Sequence, residues 1–363
     1  MIYKLIDEFC LTKFLGKGEF GEVYLTNHKN TNKQYATKKI PREKAESPLL
    51  HKYIMNEINI LRTINHKNII HLETVRKTIN NYYIIMEYCN GGDLSTCLRK
   101  YMLNYGRAFS EETVQYLMRQ IVEAIKYLHG KRIIHRNIKL DNILVNFENE
   151  IDEVNLNLLK CQIELIDFGL ATYLNDSNVA YTALGTPIYM DPIILKKFNY
   201  ILKYKFNDKS ICYNEKADIY SLGTVCYEMI IGRKVFDGVD TYDIEKKIDE
   251  GNYHLPTNLS EEVVSFLNGM LQYDEKMRLS ADELSRHIFL TKNVKDFKKL
   301  NLHKISHKID NQGLNMNIKK NQTIWDIFQE NDENAFISIP GNIFNDKPLP
   351  EQNEYSQKPV QII

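Results

Sequence analysis

The 363-residue sequence has a single tryptophan, Trp325, with only 9 prolines and 16 glycines, so collagen-like and proline-rich low-complexity classes are excluded. It has no excess of charge: 47 Lys and Arg stand against 47 Asp and Glu. The electrostatic footprint of a dedicated nucleic-acid or anionic-membrane binder is therefore missing, and no nucleic-acid partner is expected. No apolar run reaches the roughly 18 residues that a membrane helix needs. Asp7 and Glu8 interrupt the N-terminal stretch where a secretory leader would be apolar. The six cysteines (Cys10, Cys89, Cys97, Cys161, Cys212, Cys226) include no C-x-x-C pair, which predicts reduced thiols and a cytoplasmic location. What is left, 43% hydrophobic and 26% charged, is the composition of a globular protein long enough for about two folded units.

From Phe9 to about Tyr88 the apolar residues alternate or come in short bursts, which predicts a small strand-rich lobe. One helical interval lies within it, 54–65, with Ile54, Ile58 and Leu61 on one stripe. Glu57 sits on the edge of that stripe, and an acid turned inward needs a partner. After Gly91 and Gly92 the period becomes helical. Ser110 is a natural N-cap before Glu111 and Glu112, and Val114, Leu117, Ile121, Ile125 and Leu128 form one face as far as Gly130. Helical spacing recurs over 217–231 and 261–271, so the second lobe reads as mainly helical. From residue 291 the texture changes to an Asn- and Lys-rich tail without lasting periodicity, read as mostly disordered over 291–363.

GKGEFGEV sets Gly16, Gly18 and Gly21 in a G-x-G-x-x-G-x-V array. Backbone without side chains approaches phosphate oxygens closely. Gly21 is followed by EVYL, which reads as a strand and not as the helix of a dinucleotide fingerprint, so the array is expected to be a hairpin lid. Lys38, in YATKKI, follows 22 residues after Gly16, and Glu57 a further 19 on. In this order the chain resembles the protein kinase family, where a strand lysine holds the nucleotide phosphates and pairs with a helix glutamate. Lys39 is the alternative register, but Ala36-x-Lys38 matches the A-x-K of the family.

The remaining motifs follow in the same order. YYIIMEYCNGGDL resembles the hinge between lobes, which implies Met86 as gatekeeper, the Glu87 carbonyl and Cys89 amide on the adenine edge, and Asp93 at the ribose. IIHRNIKLDNIL resembles the catalytic loop H-R-D-x-K-x-x-N at His135, Arg136, Lys139 and Asn142, with Asn137 in place of the catalytic Asp. LIDFGL supplies Asp167, Phe168 and Gly169, the metal-binding triplet, and the 25 residues from Asn142 to Asp167 predict an extended hairpin. Asp191-Pro192-Ile193 stands where Ala-Pro-Glu is usual, so Arg278, which matches the arginine that pairs with that glutamate in the family, is expected to lose its partner and the activation segment its anchor. Asp218 matches the buried helix acid that orients the catalytic loop.

The resemblance implies an α+β bilobal protein kinase fold over 9–290: small lobe about 9–86, hinge about 87–93, large lobe about 94–290. It implies ATP and Mg²⁺ as cofactors, adenine between Val23, Ala36 and Leu144, metal on Asn142 and Asp167, and a protein Ser/Thr hydroxyl as acceptor because of Lys139. Leu61, Leu72, His135 and Phe168 are expected to stack between the lobes, and Thr182 to be a regulatory phosphosite paired with Arg136. MEYCNGGDL is similar to the hinge of the ULK family of autophagy-initiating kinases, and ENDENAFISI resembles the motif that binds ubiquitin-like autophagy proteins, through Phe336 and Ile339. Asn137 leaves three readings open, one of them an engineered replacement of a natural Asp. An Asn carboxamide cannot take the acceptor's proton, so the chain is otherwise either a kinase with weakened transfer or a pseudokinase that binds ATP as a scaffold or allosteric regulator.

Overall fold

The structure, a computed structural model, describes residues 4–17, 21–174, 180, 184–204 and 212–292. Gly18, Thr182, Phe336 and Ile339, and the tail from residue 293 on, lie outside the described residues, while residues 291–292 of that tail are described.

Alternating sequence in the first lobe becomes one antiparallel sheet. Its strands are β1 (Lys4–Ile6), β2 (Phe9–Lys17), β3 (Glu22–His28), β4 (Gln34–Pro41), β5 (Leu72–Lys77) and β6 (Asn81–Glu87), in the order β1-β2-β3-β4-β6-β5. Between β4 and β5 run a short helix α1 (Arg42–Ala45) and α2 (Pro48–Thr63). The sequence places the start of this helix at Ile54, whereas α2 begins at Pro48, whose fixed φ suits a first turn. Ile54, Ile58 and Glu57 are buried as the stripe requires.

The second lobe opens with α3 (Leu94–Tyr105) and α4 (Glu111–Gly130), capped by Asp93 and Ser110 respectively. Next come β7 (Ile133–Ile134), β8 (Ile143–Phe147), α5 (Glu150–Val154), β9 (Cys161–Leu165) and β10 (Thr172–Tyr173), with β8 paired to β9 and β7 to β10. The stretch between β8 and β9 does not extend the hairpin as the sequence predicts. Pairing stops at Phe147 opposite Cys161 because Asn149 caps α5 by accepting from the Asp152 amide at 2.9 Å, which turns the insertion helical. Helices α6 (Pro192–Tyr204), α7 (Lys216–Ile231), α8 (Thr241–Glu250), α9 (Glu261–Met270), α10 (Ala281–Ser285) and α11 (Ile288–Thr291) complete the lobe, with α7 buried on nearly every side. The molecule has the bilobal α+β arrangement that the resemblance implies.

The lobes are stitched at 68–70: Leu165 N donates to Asn68 O at 3.0 Å and Ile70 N to Leu165 O at 3.1 Å. Among the described residues no helix is long and apolar enough to cross a membrane, and no cysteine is in a disulfide.

Candidate active site

Strand alternation sorts the small-lobe residues. Val23 lies opposite Lys38, Lys38 opposite Ile84, and Ala36 opposite Met86, so Val23, Ala36, Lys38 and Met86 share one face of the sheet. Gly16 pairs with Val23 at the end of β2. At Gly21 an added Cβ would come within 2.1 Å of the Lys39 carbonyl, so only glycine lets β3 start this close to β4. The two adjacent lysines point to opposite faces. Lys38 Nζ lies 3.0 Å from Glu57 Oε2 and Lys39 Nζ 2.8 Å from Glu22 Oε2. The first pair is nearly closed to solvent and the second half-open, which makes Lys38 the lysine held on the Glu57 side.

Asn56, unremarked in the sequence, extends this arrangement. Its Nδ2 donates to the carbonyls of Phe168 at 3.3 Å, Gly169 at 3.2 Å and Ala171 at 2.7 Å. The helix that holds Glu57 is thereby tied to the segment that holds Asp167. Phe168 packs edge-on against His135, centroids 4.9 Å apart, and Leu61 and Phe168 belong to one hydrophobic core with Leu72 against it.

Asp167 and Arg136 hold positive φ, 68° and 66°, a backbone strain sustained by the network around them. Asn137 Nδ2 donates to Asp167 Oδ2 at 3.0 Å, and Asn142 Nδ2 reaches the same oxygen at 3.5 Å while donating to the Asn137 carbonyl at 2.8 Å. Thr186 Oγ1 donates to Asn137 Oδ1 at 3.1 Å, a contact between the activation segment and the catalytic loop that no local pattern announces. Gly185 makes room for it, since a Cβ there would sit 2.7 Å from the Arg136 carbonyl. Lys139 stands half-buried two residues beyond Asn137.

Asp218, fully buried on α7, supports the loop from below. Its Oδ2 accepts from the His135 amide at 2.8 Å and meets His129 Nε2 at 3.0 Å, while Oδ1 accepts from the Arg136 amide at 2.8 Å. Burial works against this charge, but the His129 hydrogen bond, the nearby imidazoles and the His135 amide outweigh it and hold the carboxyl below its ordinary range. Arg136 donates to Leu170 O at 2.6 Å and to Tyr213 OH at 3.2 Å.

At the hinge, Glu87 N donates to His71 O at 3.0 Å, Gly91 N to Val145 O and Val145 N to Gly92 O, both at 2.8 Å. These bonds lay the hinge along β8, where Leu144 bridges Asp93. Both carboxylate oxygens of Asp93 already accept from Thr96, its amide at 2.7 Å and hydroxyl at 2.9 Å, so the residue expected at the ribose is also the cap of α3.

Behind the hinge lies a group that sequence reasoning missed. Glu164 faces across to Leu144, is 1% exposed, and neither carboxylate oxygen has a hydrogen-bond partner of standard geometry. Burial first, and the charge of Glu87 second, push its carboxyl up to about 7; the thiol of Cys89 offsets only part of that. Because the folded-state value lies above the ordinary 4.5, Glu164 is harmless to stability below about pH 4.5, destabilises progressively as pH rises from there to about 7, and costs a nearly constant amount above that. Glu164→Gln is therefore expected to match the parent near pH 4 and to be more stable by about 3 kcal/mol at pH 8.5. Thermal melts across that range check it; a constant difference would show that Glu164 keeps its ordinary pKa.

The anchor of the activation segment corrects the sequence reading. Arg278 does not lack an acid: its Nη1 bonds Asp191 Oδ2, the two side chains 0% and 1% exposed. Asp191 Oδ1 accepts from the Ile193 amide at 2.7 Å and the Ile194 amide at 3.3 Å, so one carboxylate caps α6 and neutralises the arginine. Arg278 also donates to the carbonyls of Gln272, Tyr273 and Lys216, at 2.6, 3.0 and 3.1 Å.

Comparison with known proteins agrees with this geometry. The protein kinase domain profile matches residues 9–290. The chain is 31% identical over 299 residues to "Serine/threonine-protein kinase 33" of Mus musculus, covering 80% of this chain and 56% of that protein. It is 31% identical over 304 residues to "Probable serine/threonine-protein kinase nek2" of Dictyostelium discoideum, covering 82% and 66%, and 31% over 287 residues to "Probable serine/threonine-protein kinase MARK-A" of the same organism, covering 79% and 24%. It thus spans about half the length of the kinase 33 relative. Matched over most of its length and folded in two lobes, this chain belongs to the protein kinase domain family.

Proposed function

We propose that the chain binds Mg·ATP between its lobes and transfers the γ-phosphoryl group to a Ser or Thr hydroxyl of a protein, at a rate lowered by Asn137. The observation that carries this reading is the continuity from Lys38 to Asp167: Lys38 pairs with Glu57, and Asn56 beside it holds the carbonyls of Phe168 and Gly169. The groups assigned to the phosphates and to the metal form one hydrogen-bonded unit. Loose phosphoryl transfer asks the protein mainly for such positioning.

In this reading Val23 and Ala36 cover the adenine and Leu144 supports it. The Glu87 carbonyl and Cys89 amide take its edge, and Asp93 offers remaining lone pairs to the ribose. Gly16, Gly18 and Gly21 let the hairpin close over the phosphates. A hard divalent cation wants oxygen donors; with Asn142 Nδ2 turned to the Asn137 carbonyl, the Asn142 side-chain oxygen and the Asp167 carboxylate would be the two that hold one. When bound, Mg²⁺ neutralises phosphate charge. Lys139 is taken to serve the acceptor, and the relatives, named as serine/threonine-protein kinases, support Ser/Thr acceptors. The ULK-like wording of the hinge rests on nine residues and the named relatives belong to other groups; an autophagy partner on Phe336 and Ile339 rests on ENDENAFISI alone. Phosphorylation of Thr182, read by Arg136, is proposed on the same footing.

The pseudokinase reading has one observation in its favour: both polar atoms of Asn137 are engaged, and a carboxamide is no base.

Removing Lys38 tests the site. Lys38→Ala strips a charge from the phosphates and leaves Glu57 buried without its cation, and Asp167→Ala removes the metal carboxylate. Both are expected to weaken Mg·ATP binding about tenfold or more and to abolish stabilisation by the nucleotide in thermal shift. Unchanged titrations in both variants would place the nucleotide elsewhere.

A further inference from the structure

The contacts of Asn137 say more than that a base is missing. Its Nδ2 donates to Asp167 Oδ2 at 3.0 Å while its Oδ1 accepts from Thr186 Oγ1 at 3.1 Å. A carboxylate only accepts, so the orientation of the amide is set by its partner. With Asn142 Nδ2 at 3.5 Å, two amides converge on one oxygen of Asp167. That is where a cation would otherwise balance the charge.

We propose that Asn137 acts as a built-in substitute for the divalent cation: it holds Asp167 in place without metal, competes with metal for Oδ2, and makes nucleotide binding depend less on Mg²⁺ than it would with Ser or Asp at this position. The proposal rests on the assignment of Asp167 as the metal carboxylate. Two effects act in the same direction. Metal entering the site must displace a hydrogen bond to a charged group, and without metal the amides soften the repulsion between Asp167 and nucleotide phosphates. An Asp at position 137 would instead set a second carboxylate beside the first, and two such charges at this spacing demand a cation or a proton between them. Asn137 is in this sense a positioning residue, and its effect is on binding as well as on rate.

The test measures ATP affinity in excess Mg²⁺ and in EDTA for the full chain, Asn137→Ser and Asn137→Asp. Serine removes the amide without adding charge, which separates loss of the clamp from gain of a carboxylate. The ratio of Kd in EDTA to Kd in Mg²⁺ is expected to be lowest in the parent, about tenfold higher in Asn137→Ser and higher still in Asn137→Asp. Equal ratios in the parent and Asn137→Ser would overturn the proposal. Asp167→Asn in the Asn137→Asp background is expected to bring the ratio down towards the parent value. If it does not, Asp167 is not the cation's ligand, and both the inference and the site assignment beneath it fall. Equal parent and serine ratios with a collapsing Asp167→Asn ratio would remove the inference alone.

Discussion

Asn137→Asp is expected to raise kcat about 100-fold or more in saturating Mg²⁺, with ATP affinity under those conditions nearly unchanged. The amide and the carboxylate are nearly the same shape: one carboxylate oxygen keeps the Thr186 contact now made by Oδ1 at 3.1 Å, and the other takes the place of Nδ2, 3.0 Å from Asp167 Oδ2, where saturating Mg²⁺ offsets the repulsion. Only the proton-accepting oxygen is new. General-base loss typically costs about 100- to 10,000-fold, or about 3 to 5 kcal/mol of barrier, and restoring the group returns a comparable amount if everything else is in place. The Lys38–Glu57 pair and the Asp218 support of the loop are two parts of that condition. Steady-state kinetics at several ATP concentrations separate the kcat gain from any change in KM. A variant that binds Mg·ATP yet transfers nothing would put the chain among pseudokinases, with nucleotide as a stabilising ligand.

Asp191→Ala is expected to be the most destabilising single change outside the hydrophobic core. It strands Arg278 as a fully buried guanidinium and removes the cap that holds the Ile193 and Ile194 amides. Breaking a buried pair from one side costs about 3 to 5 kcal/mol, because the remaining charge loses its counter-ion and keeps only neutral carbonyl partners. Replacing both members relieves that penalty: Asp191→Ala with Arg278→Met is expected to be more stable than Asp191→Ala alone, and a double-mutant cycle in denaturant melts reads the coupling. Additive losses would mean that the two side chains do not act as a pair. The functional consequence is that the segment ending at α6 is anchored by an acid two residues before the position where the family pattern expects one. Ile193 is accordingly a poor suspect for any loss of activity.

The sequence made the residue types of the site legible because their chemistry is tied to spacing. A lysine on an alternating strand, an acid on the edge of an apolar helix stripe and a glycine array before a strand each carry a local signature, and Lys38, Glu57 and Gly21 stand where those signatures placed them. What escaped depends on partners far apart in the chain. Asn56 is an ordinary helix surface residue until residues 168–171 arrive against it. Glu164 reads as a strand polar position, and only the hinge above it makes it a buried, unpartnered acid. Asp191 looked like a departure from a motif, when its side chain fills the role of the missing glutamate from the other side of Pro192. The insertion between β8 and β9 misled for a local reason: the Asn149 cap competes with strand extension, and the helix won.

Transfer of label from γ-labelled Mg·ATP to a generic Ser/Thr-rich protein, followed by phosphoamino-acid analysis for the parent and Asn137→Asp side by side, tests the central claim most directly. Slow labelling of serine or threonine by the parent and labelling about 100-fold faster by Asn137→Asp is the expected result. Absence of label with both proteins while Mg·ATP still binds would contradict it, and equal, rapid labelling by both would show that position 137 is not where the acceptor's proton goes.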